Sequence, residues 1–287
     1  MTRFLTAAVL VCASLHGAIA FAQRADVSKD ALQPFIERKE LAGAVMLVAD
    51  KSKILQLEAV GSADIEAGRP MKVDSLFWIA SQSKPITGAA VMLLVDEGKI
   101  SLDDPVEKYL PEFKNLMVQV ENDAEHRLLK RPESKITVRQ VLSHMSGMPF
   151  KSALEEPTLD LFPLRARVRS YAMTPLDAQP GVRYQYSNAG INVGASILEV
   201  VTGQPFEKFL DERFFQPLGM RDTTFWPNEA QAARIATAYK PGPDNQGLVA
   251  TPISQLLYPL TDRRDRYPMP AGGLFSTASD LARFYQM

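Results

Sequence analysis

Phe77-Trp78-Ile79-Ala80-Ser81-Gln82-Ser83-Lys84-Pro85, running on through Ile86 to Val95, is the stretch whose reading decides the fold. Ile86, Ala89, Ala90, Val91, Met92, Leu93, Leu94 and Val95 are apolar on every side, and Gly98 follows as a natural stop, so the spacing predicts a buried helix. Proline has no N–H and fits only the first turn, which puts Ser81 to Lys84 at the extreme N-terminus of that helix. Ser81 and Lys84 then share one face, with a hydroxyl and an amine within reach of one hydrogen bond. Desolvation weakens the charged form of Lys84, and the positive end of the helix dipole favours a neutral amine and an attacking alkoxide. Chance alone supplies a Ser-x-x-Lys about once in roughly 250 residues, so the surroundings must decide. A merely structural lysine in a buried helix needs an acidic partner.

Working outward, the chain holds one Tyr-x-Asn, Tyr186-Ser187-Asn188, after the turn Pro180-Gly181 and before an apolar helix. A phenol and a carboxamide are offered together: Tyr186 to pass a proton between Ser81 and a leaving group, Asn188 to hold Lys84 and an acyl amide. The competing reading of such a triplet is a helix cap with a packed ring. Upstream, Asp26 to Glu40 has helical spacing with Ser28 as its cap, and Ala42 to Ala49 with Lys53 to Val60 read as an antiparallel hairpin around Asp50-Lys51-Ser52. Gly61 to Asp74 is polar and turn-rich. From Pro105 to about Arg264 the signals are helical and loop-like, with helices expected at 106–109, 138–143, 189–201 and 206–215. Glu121 to Glu133 and Pro241 to Gln246 read as surface loops.

Composition narrows the chemistry. The chain has 287 residues, 46% hydrophobic and 23% charged, enough to bury its own core. Its formal net charge of -1 gives no footprint for nucleic acid. The only cysteine is Cys12 and the histidines are His16, His126 and His144, with no HExxH pair, so neither a metal nor any other cofactor is expected. Arg3, the apolar run Leu5 to Leu15 and the small residues before Gln23 read as a cleavable signal peptide over residues 1–22. That run is too short to span a bilayer, so we expect a periplasmic or secreted monomer over 23–287 with no stable membrane anchor.

Four segments in order carry a resemblance: the Ser81 stretch, Val141-Leu142-Ser143-His144-Met145-Ser146-Gly147-Met148-Pro149, Pro180-Gly181-Val182-Arg183-Tyr184-Gln185-Tyr186-Ser187-Asn188, and Ala271-Gly272-Gly273-Leu274-Phe275-Ser276-Thr277. From about Asp26 onward the chain resembles the serine β-lactamase and penicillin-binding superfamily, in its branch of class C β-lactamases, D,D-peptidases and family VIII carboxylesterases. The resemblance implies an α+β fold, an antiparallel sheet flanked by helices with a helical lobe inserted over 105–264. It implies Ser81 as nucleophile, Lys84 as its activating partner, Tyr186 as base and Asn188 as substrate-amide ligand, and it implies that His144 belongs to a structural turn. The substrate expected is a small molecule or peptide: a β-lactam, a D-Ala-D-Ala peptide or a small ester. The alternative is a non-catalytic binding or regulatory protein on the same fold.

The family's third motif, a Lys/His-x-Gly segment on a strand, normally follows the Gly-Gly-Leu landmark. None follows it here, and Lys240-Pro241-Gly242 precedes it in what reads as a loop. The expectation is a C-terminally incomplete domain that lacks its last strands, exposes a sheet edge and turns over little substrate. Thr277 and Asp280 read as a capping pair for a last helix with Leu281, Ala282 and Phe284 on its apolar side.

Overall fold

The computed structural model describes residues 27–287, so the leader, Cys12 and His16 lie outside the described residues. Helix α1 (Val27–Glu37) leads into strands β1 (Gly43–Ala49) and β2 (Ile54–Asp64), which form the expected hairpin. Its turn closes because Asp50 Oδ1 accepts the N–H groups of Ser52 and Lys53 at 2.7 and 2.8 Å. The polar stretch after it is more ordered than its composition implies: β2 runs on to Asp64, and a short β3 (Arg69–Pro70) pairs antiparallel with it. The sheet order is β1-β2-β3, which leaves β1 at an edge.

Strand β4 (Phe77–Trp78) precedes α2 (Ser83–Asp96), the helix anticipated from Ile86 to Val95. Helix α2 ends where Gly98 adopts φ +69°, a conformation cheap only for glycine. One stripe, with Pro85 and Met92, faces outward, so the helix is buried on most sides rather than all. It packs against α5 (Asn188–Thr202), on which α3 (Val138–Leu142) and α4 (Leu164–Met173) also pack. Ile86, Val91 and Leu94 of α2 meet Val141, Val168, Val193 and Ile197 in the main core. Helices α3 and α5 approach closely at Gly190 of α5, where a Cβ would sit 2.8 Å from the carbonyl oxygen of Val141.

The stretch 105–264 differs from the expected helical and loop-like reading by containing two hairpins. Val106–Lys108 is a single 3-10 turn. The charged stretch after Leu116 is a hairpin, β5 (Val118–Asn122) with β6 (Arg127–Lys130), anchored by the buried Val118. Alternation is confined to Val118-Gln119-Val120-Glu121, is broken by a bulge there and is absent from Arg127-Leu128-Leu129-Lys130, so no strand period shows in the sequence. Helix α4 was not anticipated: Leu164, Val168 and Tyr171 face the core, but three arginines mask the pattern, and Arg167 is fully buried. The segment 206–215 is α6 (Phe206–Leu210) followed by a π-turn (Asp211–Phe215), then α7 (Gln216–Leu218). After α8 (Glu229–Ala232), a second hairpin joins β7 (Tyr239–Pro241) to β8 (Leu248–Ala250). Lys240 and Pro241 therefore lie on a strand, with Asp244 and Asn245 in left-handed conformations at the turn.

Strand β9 (Phe275–Ser276) pairs with β4, Phe77 opposite Ser276 and Trp78 opposite Phe275. This long-range pairing brings the Gly-Gly-Leu landmark beside Ser81. Helix α9 (Ala278–Tyr285) is capped by Thr277, whose side chain accepts the N–H of Asp280. The Asp280 carboxylate does not reciprocate, contrary to the capping-pair reading. It accepts instead from Asp222 N and Thr223 Oγ1. Among the described residues no helix is long and apolar enough to cross a membrane.

Candidate active site

Ser81 sits in a 3-10 turn, Ala80–Gln82, that feeds directly into α2. Ala80 has φ +44°, a strained value for a residue with a side chain, and the strain presents Ser81 outward at the helix entrance. One turn on, Lys84 is 7% exposed and its Nζ donates to Ser81 Oγ at 3.0 Å and to the carbonyl oxygen of Ala271 at 2.7 Å. Tyr186 OH reaches the same Ser81 oxygen at 2.6 Å from the loop before α5. Three of the four residues singled out from sequence thus converge on one atom.

Asn188 is placed differently from the expectation. It is buried in the first turn of α5, and its Oδ1 has no hydrogen-bond partner. The hydrogen bond anticipated from Lys84 goes to Ala271, because β4–β9 pairing carries residues 270–274 across the amine. The helix cap is Ser187, whose Oγ accepts the N–H of Gly190 at 3.1 Å.

The electrostatics follow from burial without a counter-ion. Burial pulls the Lys84 amine below its ordinary 10.5, and no carboxylate among the described residues acts on it. Burial alone would raise the Tyr186 phenol, but its contacts with Lys84 and Ser81 outweigh that and leave it below 10.0. Lys84 Nζ lies 4.7 Å from the centre of the Tyr186 ring. Two proton carriers with lowered affinities therefore flank one hydroxyl, and they titrate as a pair.

His144 follows α3, in the turn where it was expected, with φ +60°. Its ring lies 4.7 Å from Tyr186, tilted by 35°, and its Nδ1 accepts the Ser187 N–H at 3.2 Å. That bond requires an unprotonated Nδ1, in keeping with an imidazole held below 6.5 by burial and then by the Lys84 charge. On the other side Phe150 stacks on Tyr186 at 6.2 Å. The site also holds groups that sequence reading did not pick out. Trp78 Nε1 donates to Gly272 O at 2.6 Å, Thr87 Oγ1 to Pro270 O at 2.8 Å, and Tyr285 OH to Gln82 Oε1 at 2.9 Å. Nothing local in the sequence links these pairs, which are separated by up to 203 positions. Among the described residues no group of three or more His, Cys, Asp or Glu side chains could hold a metal ion.

Comparison with protein families matches residues 29–287 to the Beta-lactamase family. Protein Rv1367c of Mycobacterium tuberculosis is 35% identical over 256 residues, covering 86% of this chain and 62% of that protein. Esterase EstB of Burkholderia gladioli is 34% identical over 277 residues, covering 86% and 66%. Among solved structures, EstCE1, described as a hydrolase with promiscuous acyltransferase activity, superposes with a TM-score of 0.77 at 27% identity, over 93% of this chain and 72% of its own. The chain thus spans 62 to 66% of the length of these two curated relatives.

Proposed function

The chain belongs to the beta-lactamase family, whose relatives of this sequence include serine hydrolases, and from that premise we propose that it forms an acyl-enzyme on Ser81. The observation that carries the proposal is the convergence of Lys84 Nζ and Tyr186 OH on Ser81 Oγ, with no carboxylate among the described residues to pair with the lysine. In the proposed reaction the Lys84–Tyr186 pair takes the Ser81 proton as Oγ attacks the acyl carbon. The tetrahedral intermediate collapses, the leaving group departs with that proton, and the acyl group remains as an ester of Ser81. Water, or an acceptor alcohol, then attacks that ester with the pair removing its proton; the Ser81 Oγ–acyl bond breaks, the acyl product leaves, and the pair returns the proton to Ser81 Oγ. Asn188 Oδ1, a buried acceptor without a partner, suits a hydrogen-bond donor on the acyl side of the substrate.

Among the three substrate classes we favour small esters. The supports are the similarity to EstB and EstCE1 and an apolar rim beside Tyr186, where Val182 is 71%, Tyr184 64% and Phe150 43% exposed. We further propose export, with residues 1–22 removed, from the leader pattern around Leu5 to Leu15. N-terminal sequencing of the exported protein should then begin at Gln23.

The test of the acyl-enzyme is covalent. A fluorophosphonate probe, a fluorescent penicillin and p-nitrophenyl butyrate are offered to the folded chain, and adducts are read by intact mass and peptide mapping. The proposal expects the probe and the ester to modify Ser81, the ester faster than the penicillin, and Ser81→Ala to abolish labelling. A folded chain that none of the three modifies would instead support the non-catalytic binding protein.

A further inference from the structure

Asn192 is fully buried on α5, between Ile191 and Val193, where an apolar residue would fill the same space. A carboxamide in such a place is costly unless both of its ends are satisfied, and here they are. Its Oδ1 accepts the Ala271 N–H at 3.1 Å, and its Nδ2 donates to Tyr171 OH at 2.8 Å. The orientation of the amide is fixed by chemistry, since the backbone N–H can only donate. Tyr171, also buried, donates in turn to Glu155 Oε1 at 2.7 Å, and Glu155 Oε2 accepts the Ser152 N–H at 3.0 Å. A closed line of hydrogen bonds therefore runs from a buried carboxyl to the peptide at Ala271.

What that line holds is the lysine. The Pro270–Ala271 peptide plane is gripped from two helices: Thr87 of α2 donates to its carbonyl, and Asn192 of α5 accepts from its N–H. The next carbonyl along, that of Ala271, receives Lys84 Nζ. Resting on the acyl-enzyme reading above, we infer that Asn192, backed by Tyr171 and Glu155, is a positioning residue: it clamps Ala271 so that the Ala271 carbonyl keeps the Lys84 amine on Ser81. The burial that pushes the Glu155 carboxyl up is in keeping with an anchor sealed from water. Neither Asn192 nor its two supports touch the substrate side, and none of them stands in the sequence motifs.

The experiment compares Asn192→Leu, Asn192→Asp and Tyr171→Phe with Ser196→Ala. Ser196 is a buried residue one turn along α5 whose hydroxyl has no partner, and it controls for general disturbance of the helix. The readout is the rate of Ser81 labelling by a fluorophosphonate. Misplacing a catalytic group by about 1 Å costs on the order of 100-fold, so Asn192→Leu is expected to slow labelling by roughly that factor. Asn192→Asp keeps the acceptor for Ala271 N–H and should stay within about 10-fold of the parent, Tyr171→Phe should fall between, and Ser196→Ala should stay within about 2-fold. A residue that merely packs the core would give the opposite order, leucine tolerated and aspartate not.

Asn192→Leu labelling at the parent rate, or leucine outperforming aspartate, overturns the inference. If Asn192→Leu does not fold, Tyr171→Phe decides, because its ring is retained, and labelling at the parent rate there overturns the inference too. If the parent chain itself is not labelled, the acyl-enzyme reading fails, and the clamp is judged by hydrogen exchange at the Ala271 amide. That amide is expected to be protected in the parent and exposed in Asn192→Leu; equal protection in both overturns the clamp.

Discussion

Replacing Asp160 by asparagine should destabilise this protein, and the structure gives the size. Asp160 is fully buried and accepts Arg266 Nε at 2.8 Å and Leu257 N at 2.9 Å, while the Arg266 side chain is 2% exposed. Asparagine retains one acceptor for two donors and removes the charge that faces the guanidinium. Leaving a buried partner uncompensated costs about 3–5 kcal/mol. Arg266 keeps the carbonyls of Phe225 and Leu260 as partners, which places the expected loss near the lower end. For a chain of this size about 3 kcal/mol corresponds to a Tm drop of roughly 6–12 °C. Urea unfolding followed by far-UV circular dichroism measures it, with an unchanged m-value showing that stability alone has moved. Arg266→Met strands the Asp160 carboxylate in the same way, so the double variant should lose less than the sum of the singles. A loss below about 1 kcal/mol for Asp160→Asn, or strict additivity in the double variant, would refute the claim that this buried pair stabilises the fold.

Four further outcomes are expected. Tyr186→Phe keeps the ring between His144 and Phe150 but removes the hydroxyl on Ser81, and it and Lys84→Ala should each slow acylation by about two to four orders of magnitude in stopped-flow or probe-labelling assays. Because both groups lie below their ordinary 10.5 and 10.0, the rising limb of the pH–acylation profile should have its midpoint below 10, and a limb that stays above 10 would contradict the pair. His144 has a folded-state pKa below 6.5, so the unfolded chain binds the extra proton first. Stability should therefore rise with pH from the folded value up to 6.5, and His144→Asn should flatten that slope in denaturation curves between pH 5 and 7.5. Gly190→Ala drives a Cβ to 2.8 Å from the Val141 carbonyl and should cost about 1–3 kcal/mol in thermal unfolding, whereas the same change at the open, helical Gly88 should not destabilise.

Much of the architecture was legible because it is local. The i, i+3 spacing of Ser81 and Lys84, Pro85 in the first turn and the Gly98 stop are decided within one helix, and the structure reproduces each of them. The Asp50 turn and the Thr277 cap are likewise matters of a few residues whose side chains satisfy nearby backbone groups. The resemblance placed Tyr186 beside Ser81, whereas the triplet by itself reads more often as a helix cap with a packed ring.

Where signals from the fold compete with local ones, the sequence reading missed. Arginines hid α4 because Arg167 is paid no solvent access and reaches carbonyls instead, those of Leu159 and Pro268. A high density of charges of both signs hid the β5–β6 hairpin, whose anchor is the single buried Val118. The partner of Lys84 is a backbone carbonyl 187 positions away, so no side-chain motif could announce it, and Asn188 was assigned a bond that the β4–β9 pairing gives to Ala271. The sequence by itself determined that the Lys84 amine stands one turn from the Ser81 hydroxyl, since that spacing is set by the helix alone. Only the tertiary structure decided how that amine is held, because hydrogen bonds to backbone depend on which distant segments the core brings together.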